Sequence, residues 1–263
     1  MSVVFLSCQV CNQHLFVTFA AQKLKRMKIT GFVFAAGLGT RLYPLTADKP
    51  KALVKYQGKT LLDNALDKMM ACGVTDVVVN VHHFPDMIME AVRRHPCAGK
   101  IRISDERAYL RDTAGGVKFS EIFWRESDLL LCYNVDILSD IDLSKLIEYH
   151  IKHDAEATLA VRNRQTQRYF LFEGEECALC GWENIQTQEK IIAREVNNPL
   201  RMAFSGIHVM NTDFAREIPS VEKSSITRFY LEESVRHRIL GYAHDGDTWQ
   251  DVGKFQEFHN FLS

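Results

Sequence analysis

From residue 28 onward, two kinds of apolar pattern alternate along the chain. Ile29–Ala36 and Val74–Val81 are near-continuous apolar runs without a 3.6-residue period, so both read as buried strands. Between them, Leu61–Cys72 has apolar positions at helical spacing, with Thr60 as candidate N-cap and Gly73 as the stop. Asp86–Arg94 reads as a helix ended before Pro96, Ile101–Ser104 as a short strand, Gly116–Trp124 as a helix and Asp128–Tyr133 as a buried strand. The second half is more mixed. Leu143–His153 is helical, started by Asp142; Ala157–Val161, Tyr169–Phe172, Ala178–Trp182 and Ala203–Val209 are strand-like. Ser225–Leu240 reads as a helix ended by Gly241, and Lys254–Phe261 as a last helix.

Alternation of this kind predicts an α/β fold: three layers, α/β/α, around a mainly parallel (mixed) sheet. Ligands of such sheets collect at the carboxyl ends of the strands. No Pro/Gly/Ser-rich linker divides the chain, so residues 27–263 are expected to form one domain. Residues 1–26 do not resemble a signal peptide. The first basic residue is Lys23, and Gln9, Asn12, Gln13 and His14 interrupt the apolar stretch. Met27 would be a natural start, so 1–26 is expected to be a poorly ordered extension or a start-site artefact.

Charge changes the picture by exclusion. The net charge is −1 over 263 residues, so no basic surface points to nucleic acid. No apolar run approaches the ~18 residues a membrane span needs. Seven cysteines, an odd number, do not resemble a secreted disulfide framework, and a cytoplasmic setting is expected. Cys8-x-x-Cys11 and Cys177-x-x-Cys180 have zinc-knuckle spacing but read better as ordinary thiols, the second pair in a hairpin over 172–181.

The candidate chemistry starts where the first strand ends. Phe34–Lys55 reads FAAGLGTRLYPLTADKPKALVK: closely spaced Gly37 and Gly39, then Arg41 and Lys51. Glycines here let backbone N–H groups turn inward on an anion, so the loop suits nucleotide phosphates. Leu42 replaces the third glycine of a dinucleotide fingerprint, and Leu53 stands where a Walker A loop needs glycine. Both of those readings are therefore disfavoured.

Gly37–Thr46 and Pro50–Leu53 resemble the signature of the sugar-phosphate nucleotidylyltransferases (NDP-sugar pyrophosphorylases), Gly-x-Gly-(Thr/Ser)-Arg-Leu-x-Pro-Leu-Thr followed by Pro-Lys-(Ala/Pro)-Leu. Tyr133-Asn-Val-Asp136 resembles the family's Asn-Gly-Asp, with Val135 in place of glycine; Trp249-Gln-Asp-Val-Gly253 resembles its Trp-x-Asp-Val-Gly. The resemblance implies a Rossmann-like nucleotide-diphospho-sugar transferase fold and a reaction of NTP with sugar 1-phosphate to give NDP-sugar and pyrophosphate, with no enzyme nucleophile. It implies catalytic Arg41 and Lys51, and Mg²⁺ on Asp136 and Asp251. Nucleotide contacts would come from Ala36, Gly37, Leu38, Gly39, Thr40 and Arg41, and from the base-reading segment Glu106, Thr113, Gly115 and Gly116. Ser205 and Gly206, in Phe204-Ser-Gly-Ile207, would face the sugar. A departure lies just upstream: Glu195-Val-Asn-Asn-Pro199 stands where many members have Glu-Lys-Pro.

That departure, and the length, resemble the short N-acetylmuramate-1-phosphate uridylyltransferases, with mannose-1-phosphate guanylyltransferase-like members next. UTP with an amino-sugar 1-phosphate is the expected pair. GTP with mannose or heptose 1-phosphate, dTTP with glucose 1-phosphate and CTP with phosphocholine stay open, as does the oligomeric state. A regulatory homologue that binds nucleotide without chemistry is one alternative, and a glycosyltransferase is another. His82-His83 are read as loop residues, and Arg162, Arg164 and Arg168 as a solvated basic cluster in which Arg168 could assist the sugar phosphate.

Overall fold

A computed structural model of the chain describes residues 26–253. The N-terminal extension apart from Arg26, the Cys8/Cys11 pair and the last predicted helix, Lys254–Phe261, lie outside the described residues. In chain order come β1 (Ile29–Phe34), the hairpin β2 (Lys55–Tyr56) and β3 (Lys59–Thr60), α1 (Leu61–Ala71), β4 (Asp76–Val81), α2 (Pro85–Arg94) and β5 (Ile101–Asp105). Then follow α3 (Asp112–Phe119), α4 (Glu121–Trp124), β6 (Leu129–Asn134), β7 (Ile137–Ser139), α5 (Leu143–Lys152) and β8 (Ala157–Arg162). The remainder is β9 (Arg168–Glu173), β10 (Ala178–Asn184), β11 (Glu189–Ile192), β12 (Leu200–Asn211), α6 (Thr212–Arg216), α7 (Ile226–Glu233), β13 (Ile239–Ala243) and β14 (Trp249–Asp251).

One mixed sheet runs β11-β10-β13-β8-β12-β6-β1-β4-β5, with β9 paired to both β10 and β12. β5, β4, β1 and β6 are mutually parallel. β12 lies antiparallel between β6 and β8. The chain leaves β1 for β4 and β5 on one side, then returns to β6 on the other. The carboxyl ends of β1, β4 and β6 therefore share one edge at a point where strand order reverses, the place where such sheets bind ligands.

Alternation along the central strands sorts the core into two layers. Val33, Val77, Val79, Leu129 and Leu131 pack on one face with Leu62 and Leu66 of α1, Ile88 of α2 and Leu146 of α5. Phe32, Phe34, Val78, Leu130 and Cys132 pack on the other with Val117 of α3, Trp124 of α4, Phe214 of α6 and Phe229 of α7. This is the expected α/β/α sandwich, with more antiparallel pairing in its second half.

Two predicted helices differ. Ser225–Leu240 is not continuous: α7 ends at Glu233, and Ile239–Ala243 is β13, parallel to β8. Gly241 is thus a strand residue, not a helix stop; a Cβ there would lie 2.7 Å from Cys177 Sγ and 3.1 Å from Phe172. Gly116–Trp124 is two helices, and the first begins four residues early, at Asp112. Cys177 and Cys180 lie at the β9–β10 hairpin, the placement expected for them, and neither is in a disulfide.

Two helix starts, those of α1 and α5, carry the expected side-chain caps. Asp142 accepts from the amides of Ser144 and Lys145, and Thr60 Oγ1 accepts from Asp63 N at 3.0 Å. Thr60→Ala should lower unfolding free energy by about 1 kcal/mol, read by urea denaturation; an unchanged midpoint would remove the cap's assigned role.

Candidate active site

The loop leaving β1 is shaped by Gly39, which takes the left-handed conformation (φ +69°). Thr46 Oγ1 and Leu42 N both bond to its carbonyl, each at 2.9 Å, closing the loop on itself. The amides of Gly37, Leu38 and Gly39 have no acceptor among the described residues. The amides of Ala35 and Ala36 do: both donate to Asn80 Oδ1 on β4, at 2.8 and 3.2 Å. A row of amides without acceptors at a strand end is a physical basis for anion binding.

Lys51 returns across this loop. A Cβ on Gly37 would lie 3.1 Å from Lys51 Cε, and one on Gly39 3.0 Å from Lys51 Cβ. The ammonium donates to Asp136 Oδ2 at 2.8 Å, with both side chains largely buried (15% and 7% exposed). Burial works to raise the Asp136 carboxyl. The Lys51 charge and hydrogen bond, with Arg41 beyond, outweigh it and hold the group below the usual carboxylate range. Val135, where glycine is usual in the motif, is wholly buried in the core, so its side chain does not obstruct the site.

Asp251 arrives from the far end of the chain. β14 pairs antiparallel with β7, placing Asp251 opposite Ile137, and Val252 N donates to Asp136 O at 2.9 Å. Gly253 shows how closely the groups converge. A Cβ there would lie 2.6 Å from Asp136 Oδ2, 2.7 Å from Asp251 Oδ1 and 3.2 Å from Arg41 Nη2. Two carboxylates and a guanidinium therefore surround one small space. The carboxylates form a hard-oxygen pair that could hold a divalent cation.

Two cavities meet at Arg41. One, of about 400 Å³, is lined by Ala36, Gly37, Lys51, Asn80, Thr113 and Asp136, among others. The other, of about 870 Å³, is lined by Arg164, Arg168, Phe204, Trp182, Trp249 and Asp251, among others. Asp136 faces the first and Asp251 the second, so the paired carboxylates span the junction.

Five of the expected contacts, Glu106, Gly115, Gly116, Ser205 and Gly206, line neither cavity. Glu106 is buried, its Oε1 taken by Asn80 Nδ2 at 2.9 Å and its Oε2 by Arg111 N at 3.2 Å; burial raises its carboxyl, partly opposed by those bonds. It supports Asn80, and with only 2% of its surface exposed it lines neither cavity. Gly115 and Gly116 lie inside α3. The Gly115 amide donates to Ser224 O, and Gly116 allows the close approach of Glu106, 2.7 Å from where a Cβ would be. Thr113 lines the smaller cavity, but its hydroxyl accepts from Ile226 N. Ser205 is fully buried, and its hydroxyl contacts His244, not a cavity. Gly206 takes φ +76° and approaches Asn134. His82 binds Glu106 O through Nδ1, consistent with a loop residue.

A family model described as nucleotidyl transferase matches residues 30–262. The chain belongs to the nucleotidyl transferase family. An N-acetylmuramate alpha-1-phosphate uridylyltransferase from Caulobacter vibrioides is 44% identical over 107 residues, which is 40% of this chain and 44% of that protein. A mannose-1-phosphate guanyltransferase from Yarrowia lipolytica is 27% identical over 87% of this chain and 61% of its own length. The matches thus span about half the length of these relatives. A crystal structure of HddC from Yersinia pseudotuberculosis complexed with GMP-PN has the same fold: TM-score 0.66, 18% identity, 88% of this chain and 96% of that one.

For this nucleotidyl transferase, sequence reading missed Asn80, Asn134, Lys223 and the Arg164–Trp249 stack, in which the guanidinium lies 4.3 Å from the ring. Asn80 could have been suspected as the one polar residue in the run VVVNV. Gly253→Ala should weaken Mn²⁺ binding, read by EPR titration, by about 10–100-fold with the melting temperature preserved; unchanged Mn²⁺ binding would contradict the convergence of the two carboxylates.

Proposed function

We propose that the protein transfers a uridylyl group from UTP to an amino-sugar 1-phosphate such as N-acetylmuramate 1-phosphate, releasing pyrophosphate. The observation that carries this reading is the junction of the two cavities. Arg41 borders both, Lys51 and Asp136 face one, and Asp251 faces the other. Such a junction suits two phosphates brought together from opposite sides. The likeness to the uridylyltransferase from Caulobacter vibrioides supports the choice of base and sugar. Among the described residues the larger cavity is also lined by Arg164 and Arg168 and by no carboxylate but Asp251, which favours a sugar carrying its own acidic group.

In this reading, the unpaired amides of the 37–39 turn hold the triphosphate, with Arg41 gripping oxygens through paired N–H donors. Asp136 and Asp251 would hold a divalent ion such as Mg²⁺, which would supply charge neutralisation to the phosphates. Lys51 exchanges Asp136 for phosphate oxygen as substrates enter, so its charge follows the charge developing at the α-phosphorus. The attacking oxygen of the sugar phosphate is already anionic, and catalysis is positioning and electrostatics. GTP with mannose 1-phosphate is the second reading, favoured by the longer match to the guanyltransferase of Yarrowia lipolytica.

Pyrophosphate release should be measured with UTP, GTP, dTTP and CTP against N-acetylmuramate, N-acetylglucosamine, mannose and glucose 1-phosphates. UTP with the N-acetylated acidic sugar should be fastest; release only with GTP and mannose 1-phosphate would replace this reading, and none with any pair would remove it. Arg41→Ala and Lys51→Ala should each cost about 10²–10³ in kcat while the protein stays folded, and near-normal turnover in either would overturn its role.

A further inference from the structure

Ser205 and His244 are both buried, and they meet: His244 Nε2 lies 2.7 Å from Ser205 Oγ. Asp247 Oδ2 is 3.5 Å from His244 Nδ1 on the other side. The order Ser–His–Asp is that of a hydrolytic triad, but the Ser205 side chain has no exposed surface for a substrate to reach. Its use must be sought in what it holds. The Ser205 carbonyl accepts from Trp249 Nε1 at 2.9 Å, so one residue binds the 244–251 segment twice, through side chain and backbone. Trp249 and Phe204 are walls of the larger cavity, and Asp251 follows Trp249 by two positions. The register of β12 against β8 shifts between Phe204 and His208, and Gly206 is left-handed at this shift. This irregularity accompanies the inward aim of the Ser205 hydroxyl.

We propose that Ser205 and His244 are a positioning pair that sets the Trp249 wall of the larger cavity and the approach of Asp251, and so tunes binding of the sugar 1-phosphate separately from binding of the nucleotide. Neither residue touches substrate. This inference rests on the reading given under Proposed function. Asp247 Oδ2, at 3.5 Å, does not bond His244 Nδ1, which has no hydrogen-bond partner among the described residues, so either member of the Ser205–His244 pair can be the donor. A glutamine amide in place of the imidazole can accept the same bond. Replacing both partners by apolar groups removes the bond without leaving a buried polar atom unpaired.

The test is steady-state kinetics on the full chain with each substrate varied in turn, for Ser205→Ala, His244→Gln and the double variant Ser205→Ala/His244→Leu. Ser205→Ala and the double variant should raise KM for the sugar 1-phosphate by about 5–10-fold, with KM for the nucleotide changed less than about 2-fold. His244→Gln, which keeps a bonding partner for Ser205, should leave both KM values within about 2-fold of wild type. A folded double variant with wild-type KM values overturns the positioning role. So does a parallel rise in both KM values, or loss of the fold across the set, which would assign the pair to stability alone. A wild type that releases no pyrophosphate with any substrate pair removes instead the functional reading beneath it.

Discussion

Lys51 and Asp136 belong to segments 85 residues apart, and their 2.8 Å contact is the constraint on which the site depends. Burying two charges is costly, and a partner removed leaves the other charge uncompensated, at a cost of about 3–5 kcal/mol. The pair therefore fixes the returning loop against the end of β6. It also gives the two glycines of the loop a second reason to exist. Gly37 and Gly39 present amides, and they also leave room for the Lys51 stem, which runs 3.0–3.1 Å from where their Cβ atoms would be. The row of loop amides and the buried ammonium are thus one packing solution, and a larger residue at either glycine would disturb both.

Two long-range arrangements hold the rest in place. The Asn80–Glu106 bond anchors the amides of Ala35 and Ala36 from the neighbouring strands, so the first turn of the loop starts from a fixed point. The β7–β14 pairing carries Asp251 and Gly253 to Asp136. The parallel strands β1, β4 and β6 deliver their loops to a common edge by topology alone; the last carboxylate needs this separate two-stranded device. Across the sheet, His208 is fully buried between Phe34, Phe204 and Tyr230, and burial pushes its imidazole down to about 3. It is therefore neutral at physiological pH and serves packing.

The core strands and the glycine-to-lysine loop were legible because their signals are local. A β-branched run has no helical period, and Gly37 through Lys51 lies within one stretch of chain. The second half was less legible where apolar residues carry no distinguishing period. Ile239 and Leu240 continued the α7 pattern closely enough to pass as helix, and only their pairing beside β8 made them strand. Glu106, Gly115, Gly116 and Ser205 matched family positions, yet their groups are used inside the protein. Residue type and spacing report which side chains are near a site, whereas hydrogen bonds between distant segments decide which of them are free to face it. Asn80 shows the converse, a polar residue in a buried strand whose purpose appears only when the loop amides lie on its oxygen.

In the proposed reaction Lys51 would act as an ion-paired ammonium and not as a nucleophile, so that nucleotidyl transfer would be a single in-line displacement. Stereochemistry at the α-phosphorus tests this most directly. A single diastereomer of α-thio-UTP would be turned over with the sugar 1-phosphate, and the configuration of the NDP-sugar product read by ³¹P NMR. One displacement predicts inversion. Retention would require two displacements through a nucleotidyl-enzyme, and would contradict the role given to the Lys51–Asp136 pair.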